Sequence, residues 1–159
     1  MAKKCFLSFH YKPDNWRVQQ VRNIGSIEEQ PLLSANKWEE IKEKGDQAIK
    51  DWIGANLKGK DCLVVLVGEK TADRPWVKYE IKEAWKKGIG VTAVYIHGLK
   101  NSDGDQGKKG KDPFIGLSVG GETIVGTAHD TPYSSSTYVY DYIKDNIETW
   151  VADAVKARK

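Results

Sequence analysis

An α/β fold, with a doubly wound, mainly parallel sheet and helices on both faces, is predicted for this chain from three observations. Three short apolar runs, at residues 5–9, Cys62–Val67 and residues 91–96, are rich in β-branched or aromatic residues and read as strands. The last two are apolar on both faces, as strands of a parallel sheet covered on both sides are. Segments with helical spacing alternate with these runs, and alternation at such lengths implies βαβ units.

Each element has its own signal. Residues 25–34 carry little pattern and read as a loop with a weak edge strand. Ile49, Trp52, Ile53 and Leu57 recur at helical spacing until Gly59 stops the segment. Val77, Ile81, Ala84 and Trp85 form a second stripe, with Pro75 in its first turn and Gly88 at its end. Residues 101–112 are polar and rich in Gly and Lys, an exposed loop, and residues 114–125 supply a last strand or a hairpin. A long C-terminal helix carries Val139, Ile143, Ile147, Trp150, Val151 and Ala154 on one side. No internal repeat occurs. Ligands of such sheets bind in the crevice at the carboxyl ends of the strands. Those ends are residues 8–11, 68–73 and 97–101.

The 159 residues suit one domain spanning 1–159, with a core of its own. Lys and Arg exceed Asp and Glu by 25 − 22 = 3, too little to imply a nucleic-acid partner. The two cysteines, Cys5 and Cys62, sit inside apolar runs, which argues against a disulfide framework and for a reducing, cytoplasmic setting. The N-terminal apolar run ends at Phe9 and polar residues follow at once, so no signal-peptide core is expected. No run approaches the ~18 apolar residues of a membrane span.

Several motifs have a plainer reading than their pattern suggests. Gly116-Leu117-Ser118-Val119-Gly120 matches the G-x-S-x-G nucleophile elbow, which needs a strand before the serine and a helix after it. Here Gly121 to Val125 reads as turn and strand, so a hairpin is expected. Asn101, Asp103, Asp105 and Asp112 imitate a calcium loop, but Gln106 stands where glycine is required and Asp112 where a bidentate glutamate is. A solvated loop is the better reading. His10, His97 and His129 are far apart and neither cysteine belongs to a C-x-x-C pair, so no metal site is expected. His10 and His97 both stand at strand ends, where they have the opportunity to meet. No dinucleotide fingerprint or Walker A stretch follows a strand.

Trp76 and Glu80 are the informative pair. Four apart on a helix, they share a face. At about 100° per residue, Glu80 falls between Trp76 and the stripe of Val77, Ile81 and Ala84, with Lys78, Lys82 and Lys86 opposite. A carboxylate at the margin of an apolar stripe is partly desolvated, which raises its pKa and marks a candidate site.

These residues also carry a family resemblance. Lys4-Cys5-Phe6-Leu7-Ser8-Phe9 looks like the first TIR-domain motif, a strand ending in F-x-S-[FY], and Trp76-Val77-Lys78-Tyr79-Glu80 is similar to the motif in which a tryptophan precedes the catalytic glutamate. Residues 6–11, Arg17, Val21-Arg22-Asn23 and residues 74–81 together resemble the TIR-like proteins of Thoeris antiphage systems. Asp112-Pro113-Phe114 looks like a variant of an Asn-Pro-Phe element of that group. The resemblance covers roughly residues 3–150. Arg74 and Val77 depart from the usual Ser and Cys around the motif tryptophan.

The resemblance implies a flavodoxin-like sheet and an enzyme, an NAD glycohydrolase or ADP-ribosyl cyclase, that breaks the nicotinamide–ribose bond of NAD. NAD is then the substrate, and no cofactor is expected. In the Thoeris group the product is a cyclic ADP-ribose isomer, an antiphage second messenger that reaches a separate effector. The active form is expected to be a homo-oligomer, with a phage-derived trigger. On this reading Glu80 stabilises the charge that develops on ribose or holds its hydroxyls. Trp76, Phe6 and Phe9 supply apolar walls. Ser8, His10 and Tyr11 donate hydrogen bonds to ribose or phosphate, and Arg17 or Arg22 faces the pyrophosphate. The competing reading is a catalytically silent TIR-like adaptor that acts by assembly. A flavodoxin-like response module would want acidic residues at the first strand's end, where Ser8-Phe9-His10-Tyr11 stand instead.

Overall fold

The computed structural model describes residues 3–29 and 35–158. In chain order the elements are β1 (Lys4–Phe9), α1 (Tyr11–Arg22), β2 (Glu28–Glu29), α2 (Ala35–Glu43), α3 (Asp46–Leu57), β3 (Cys62–Val67), a 3-10 turn (Thr71–Asp73) and α4 (Pro75–Lys86). There follow β4 (Gly90–Tyr95), β5 (Ser118–Val119), β6 (Glu122–Thr123), β7 (Thr127–His129) and α5 (Ser136–Ala157). The main sheet has the order β2-β1-β3-β4-β7, and every pairing in it is parallel. This is the flavodoxin-like order.

Two apolar layers explain why the central strands are hydrophobic throughout. On one face Leu63, Val65 and Val67 of β3 and Val91 and Ala93 of β4 meet Ile49, Ile53 and Leu57 of α3 and Val77, Ile81 and Ala84 of α4. On the other, Val64 and Leu66 of β3 and Val94 of β4 meet Val18 and Val21 of α1 and Val139, Ile143, Ile147 and Val151 of α5. Alternate residues of one strand thus feed opposite layers, and no position on β3 is left for a polar side chain. Among the described residues, no helix is long and apolar enough to cross a membrane.

Helix α4 begins and ends where its sequence signals lie. Pro75 occupies its first turn. At its other end Gly88 takes φ 74°, and the Ile89 and Gly88 amides donate to the Ala84 and Trp85 carbonyls at 3.0 Å each. That is a Schellman motif, and it closes the helix before β4 starts.

At its edges the fold settles the readings the sequence leaves open. Residues 114–125 take the hairpin alternative rather than a last strand: Ser118–Val119 and Glu122–Thr123 pair antiparallel, separate from the main sheet. Ser118 therefore sits on that hairpin rather than on a strand-to-helix elbow. The last strand of the main sheet is the three-residue β7, paired with β4. In the weakly patterned stretch 25–34, Glu28–Glu29 pairs with β1 as an edge strand, and residues 30–34 lie outside the described residues. Residues 101–112 form a loop, but a tethered one. The Gly107 amide donates to the His97 carbonyl at 2.8 Å, and Gln106 Nε2 donates to the carbonyls of Gly98 and Ser134 at 2.7 and 2.6 Å. Within it Asn101 Oδ1 accepts the Asp103 and Asp105 amides, each at 2.9 Å, so the calcium-like spacing is used for local turns. Cys5 and Cys62 are register partners on β1 and β3, both buried as free thiols. Burial pushes the Cys5 thiol up to about 12, so it stays protonated.

Candidate active site

The chain leaves β1 into α1 on one face of the sheet and leaves β3 through the 3-10 turn into α4 on the other. Adjacent strands that send their helices to opposite faces open a crevice at their carboxyl ends. A cavity of about 200 Å³ occupies that end. Phe9, His10, Tyr11 and Lys12 line it from the β1–α1 junction, Trp38, Glu39 and Lys42 from α2, Arg74 from the position just before α4, and Trp76, Val77 and Glu80 from α4.

Glu80 forms the floor. Its side chain is buried, 9% exposed, and Ser8 Oγ at the end of β1 donates a hydrogen bond to Oε1 at 2.6 Å. Removal from water pushes its carboxyl up to about 8, against the opposing effect of the Ser8 hydrogen bond. Among the described residues, no charged partner offsets the burial. The helix supplies the geometry: the residues on either side of Glu80 along the inner face, Val77, Ile81 and Ala84, are packed into the core and carry the carboxyl inward with them.

The aromatic walls are half-buried. Trp76 stands edge-on to Tyr79, ring centres 5.5 Å apart at 82°, and Phe9 stacks on Tyr11 at 5.9 Å. His10 lines the cavity as well. Burial lowers its pKa, helped by the charges of Arg74 and Lys70, and Nδ1 has no hydrogen-bond partner among the described residues.

Two candidates lie elsewhere. Phe6 is fully buried behind the cavity, edge-on to Trp52, which in turn meets Trp38. It supports the wall through two rings rather than forming it. Arg17 is spent on structure. Its Nε donates to the Leu99 carbonyl at 2.8 Å, Nη1 to Asp14 Oδ1 at 3.0 Å and Nη2 to the Asp105 carbonyl at 3.1 Å. It borders a neighbouring cavity of about 470 Å³ that does not include Glu80. Arg22 is likewise paired, with Glu29 at 3.0 Å. His97 does not join His10 at the Glu80 cavity; it stands edge-on to Tyr95 at 5.8 Å.

Helix α2 and the cationic rim were absent from the sequence-based candidates. Trp38 and Lys42 are four apart, the spacing of one helix face, and that was the available signal. Asp112 Oδ1 accepts the Phe114 amide at 2.9 Å, and Pro113 and Phe114 are buried, so the Asp-Pro-Phe element is a turn that anchors the loop ahead of the hairpin.

With this geometry established, two comparisons with known proteins place the chain. The family model described as Thoeris protein ThsB, TIR-like domain, matches residues 6–101. That span holds every element lining the cavity. A Bacillus cereus (strain MSX-D12) protein bearing the provisional name cyclic ADP-D-ribose synthase ThsB1 is 34% identical over 119 residues, or 72% of this chain. The match spans 62% of that protein's length. A parallel sheet of flavodoxin-like order, with the tryptophan–glutamate helix beside the first strand and a family match over more than half of the residues, gives one conclusion: the chain belongs to the ThsB TIR-like family of Thoeris systems.

Proposed function

We infer that this protein cleaves NAD at the nicotinamide–ribose bond and closes the remaining ADP-ribose into a cyclic isomer, with Glu80 as the catalytic residue. The observation that carries the reading is the buried Glu80 carboxyl, held by Ser8 at the floor of an aromatic-walled cavity. The name of the Bacillus cereus relative points to the same chemistry.

The bond between ribose C1′ and the pyridinium nitrogen breaks with its electron pair leaving on neutral nicotinamide. Positive charge passes from the ring to the ribose as an oxocarbenium-like centre. A carboxylate in a site of low dielectric stabilises that centre far more than water would. In the free site Glu80 is largely protonated at neutral pH, because its pKa is about 8. The cationic pyridinium of the substrate favours the ionised form, so binding and deprotonation are coupled. Ser8 Oγ, already donating to Oε1, keeps the carboxylate oriented as its proton leaves. Trp76, Phe9 and Tyr11 flank the departing ring and limit water. A nucleophile from the adenine end of the same molecule then forms a bond to C1′ and gives up a proton, closing the ring. Attack by water instead gives linear ADP-ribose.

The product acts on a separate effector, activity answers a phage-derived trigger, and the working form is a homo-oligomer. The test is mass spectrometry of small molecules from cells carrying wild-type or Glu80→Gln chains, before and after phage infection. A species with the mass of ADP-ribose less one water, made only by the wild type, is expected. Linear ADP-ribose alone would restrict the reading to hydrolysis. No NAD-derived product at all would overturn it in favour of an adaptor that works by assembly.

A further inference from the structure

We propose that Arg74, with Lys12 across the cavity mouth, is the diphosphate grip that fixes this protein's choice of a dinucleotide, a role that rests on the NAD reading of the Glu80 site. The argument begins with the arginines. Of the four in the chain, Arg17 is paired with Asp14 at 3.0 Å, Arg22 with Glu29 at 3.0 Å and Arg158 with Glu122 at 4.0 Å. Among the described residues, Arg74 alone has no carboxylate partner, and it lines the Glu80 cavity. Lys12 is exposed on the same rim and is also without an ion pair there. The third rim cation, Lys42, lies 3.6 Å from Glu39 and is partly neutralised.

Size and charge both send a diphosphate to this rim. A cavity of about 200 Å³ is below the ~300–1,000 Å³ that encloses a drug-sized ligand, so it takes one end of a dinucleotide and leaves the rest at the mouth. The floor is a carboxyl that must ionise for the reaction, and an anion placed beside it would oppose that ionisation. With the nicotinamide ribose over Glu80, the diphosphate attached to that ribose falls outward, toward Arg74 and Lys12. An unpaired guanidinium offers two parallel N–H donors that match phosphate oxygens, and no partner has to be released first. The field of Arg74 already extends over the cavity, as its effect on His10 indicates.

The test is calorimetric titration of the full chain with ADP-ribose and with adenosine, which lacks phosphate. Wild type, Arg74→Ala, Arg74→Lys and Lys12→Ala are compared at low and high salt. Because Arg74 is exposed and unpartnered, its substitution leaves the fold intact, which thermal melting verifies. Arg74→Ala is expected to weaken ADP-ribose by about 10- to 100-fold, the loss of charge-assisted hydrogen bonds. Adenosine should be unaffected, Arg74→Lys should recover part of the loss, and the difference should shrink at high salt. Equal ADP-ribose affinity in wild type and Arg74→Ala would overturn the proposal, as would a wild type that binds ADP-ribose no better than adenosine. The NAD reading fails separately: a wild type that yields no NAD-derived product in phage-infected cells, while its ADP-ribose affinity depends on Arg74, overturns cleavage and supports the grip.

Discussion

Glu80 holds a proton that the unfolded chain would release near its ordinary value of 4.5, and does so up to about 8. Between those values the native state binds more protons than the unfolded state, so stability falls as pH rises through the window. Below it both states are protonated and the full stability is present. The cost at pH 8 is on the order of a few kcal/mol, which a neutral amide of the same shape avoids. Glu80→Gln is therefore expected to be more resistant to urea than wild type at pH 8, with the gap closing toward pH 5; other groups titrate equally in both chains. A gap that stays constant from pH 5 to 8 would refute the raised pKa. On the proposed mechanism the same proton acts on catalysis in the opposite sense. kcat/KM for NAD should climb with pH toward a plateau above about 8, since the free site must ionise. This site trades stability for a carboxylate whose charge water does not weaken. From spacing alone, Glu80 reads as marginal to an apolar stripe. Its depth does not, because Ser8, the group that meets it, lies 72 residues away in sequence.

Helix α1 illustrates what a periodic pattern fails to register. Its inward face carries Asp14 and Arg17 beside Val18 and Val21, so an ion pair interrupts the apolar stripe that would announce a helix. The pair is 2% and 7% exposed, and Arg17 ties α1 to the strand-end loop through the Leu99 and Asp105 carbonyls. Arg17→Ala should cost about 3–5 kcal/mol by urea denaturation, because it leaves the Asp14 charge buried without its partner. Arg17→Ala combined with Asp14→Ala should cost less than the two losses summed. Additive losses would mean that the guanidinium acts through its carbonyl contacts alone. Elements β3, β4, α4 and α5 were legible because each feeds one or both apolar layers with long, regular runs. The two-residue β2, β5 and β6 are legible only as a weak edge strand and a hairpin, and the three-residue β7 is too short for a period to register, so its neighbour β4 defines it instead. The site followed the same rule. Its first strand and its α4 helix stood out, whereas α2 and the Arg74–Lys12 rim became visible only when three separated segments met.

At the amino ends of the strands the C-terminus of α5 is clipped to α4: Arg158 lies over the Trp85 ring at 3.5 Å and donates to the Trp85 carbonyl at 2.8 Å. At the carboxyl ends the Glu80 cavity of about 200 Å³ has room for one end of a dinucleotide, and the neighbouring cavity of about 470 Å³, which shares His10 with it, lies open beside it. On the proposed cyclisation, the transition state must bring the adenine half back to the ribose with water held off, which takes more cover than the described residues around the Glu80 cavity give. In the proposed homo-oligomer, a second copy would supply that cover beyond Arg74 and Trp38. Activity should then depend on association. NAD turnover per chain is expected to rise with protein concentration and to level off where the oligomer saturates, with light scattering recording the assembly over the same range. Excess Glu80→Gln chain mixed with a little wild type should raise turnover per wild-type chain, since the inactive copy still supplies the missing wall. Turnover per chain that is independent of concentration, and indifferent to added Glu80→Gln, would show that one crevice suffices.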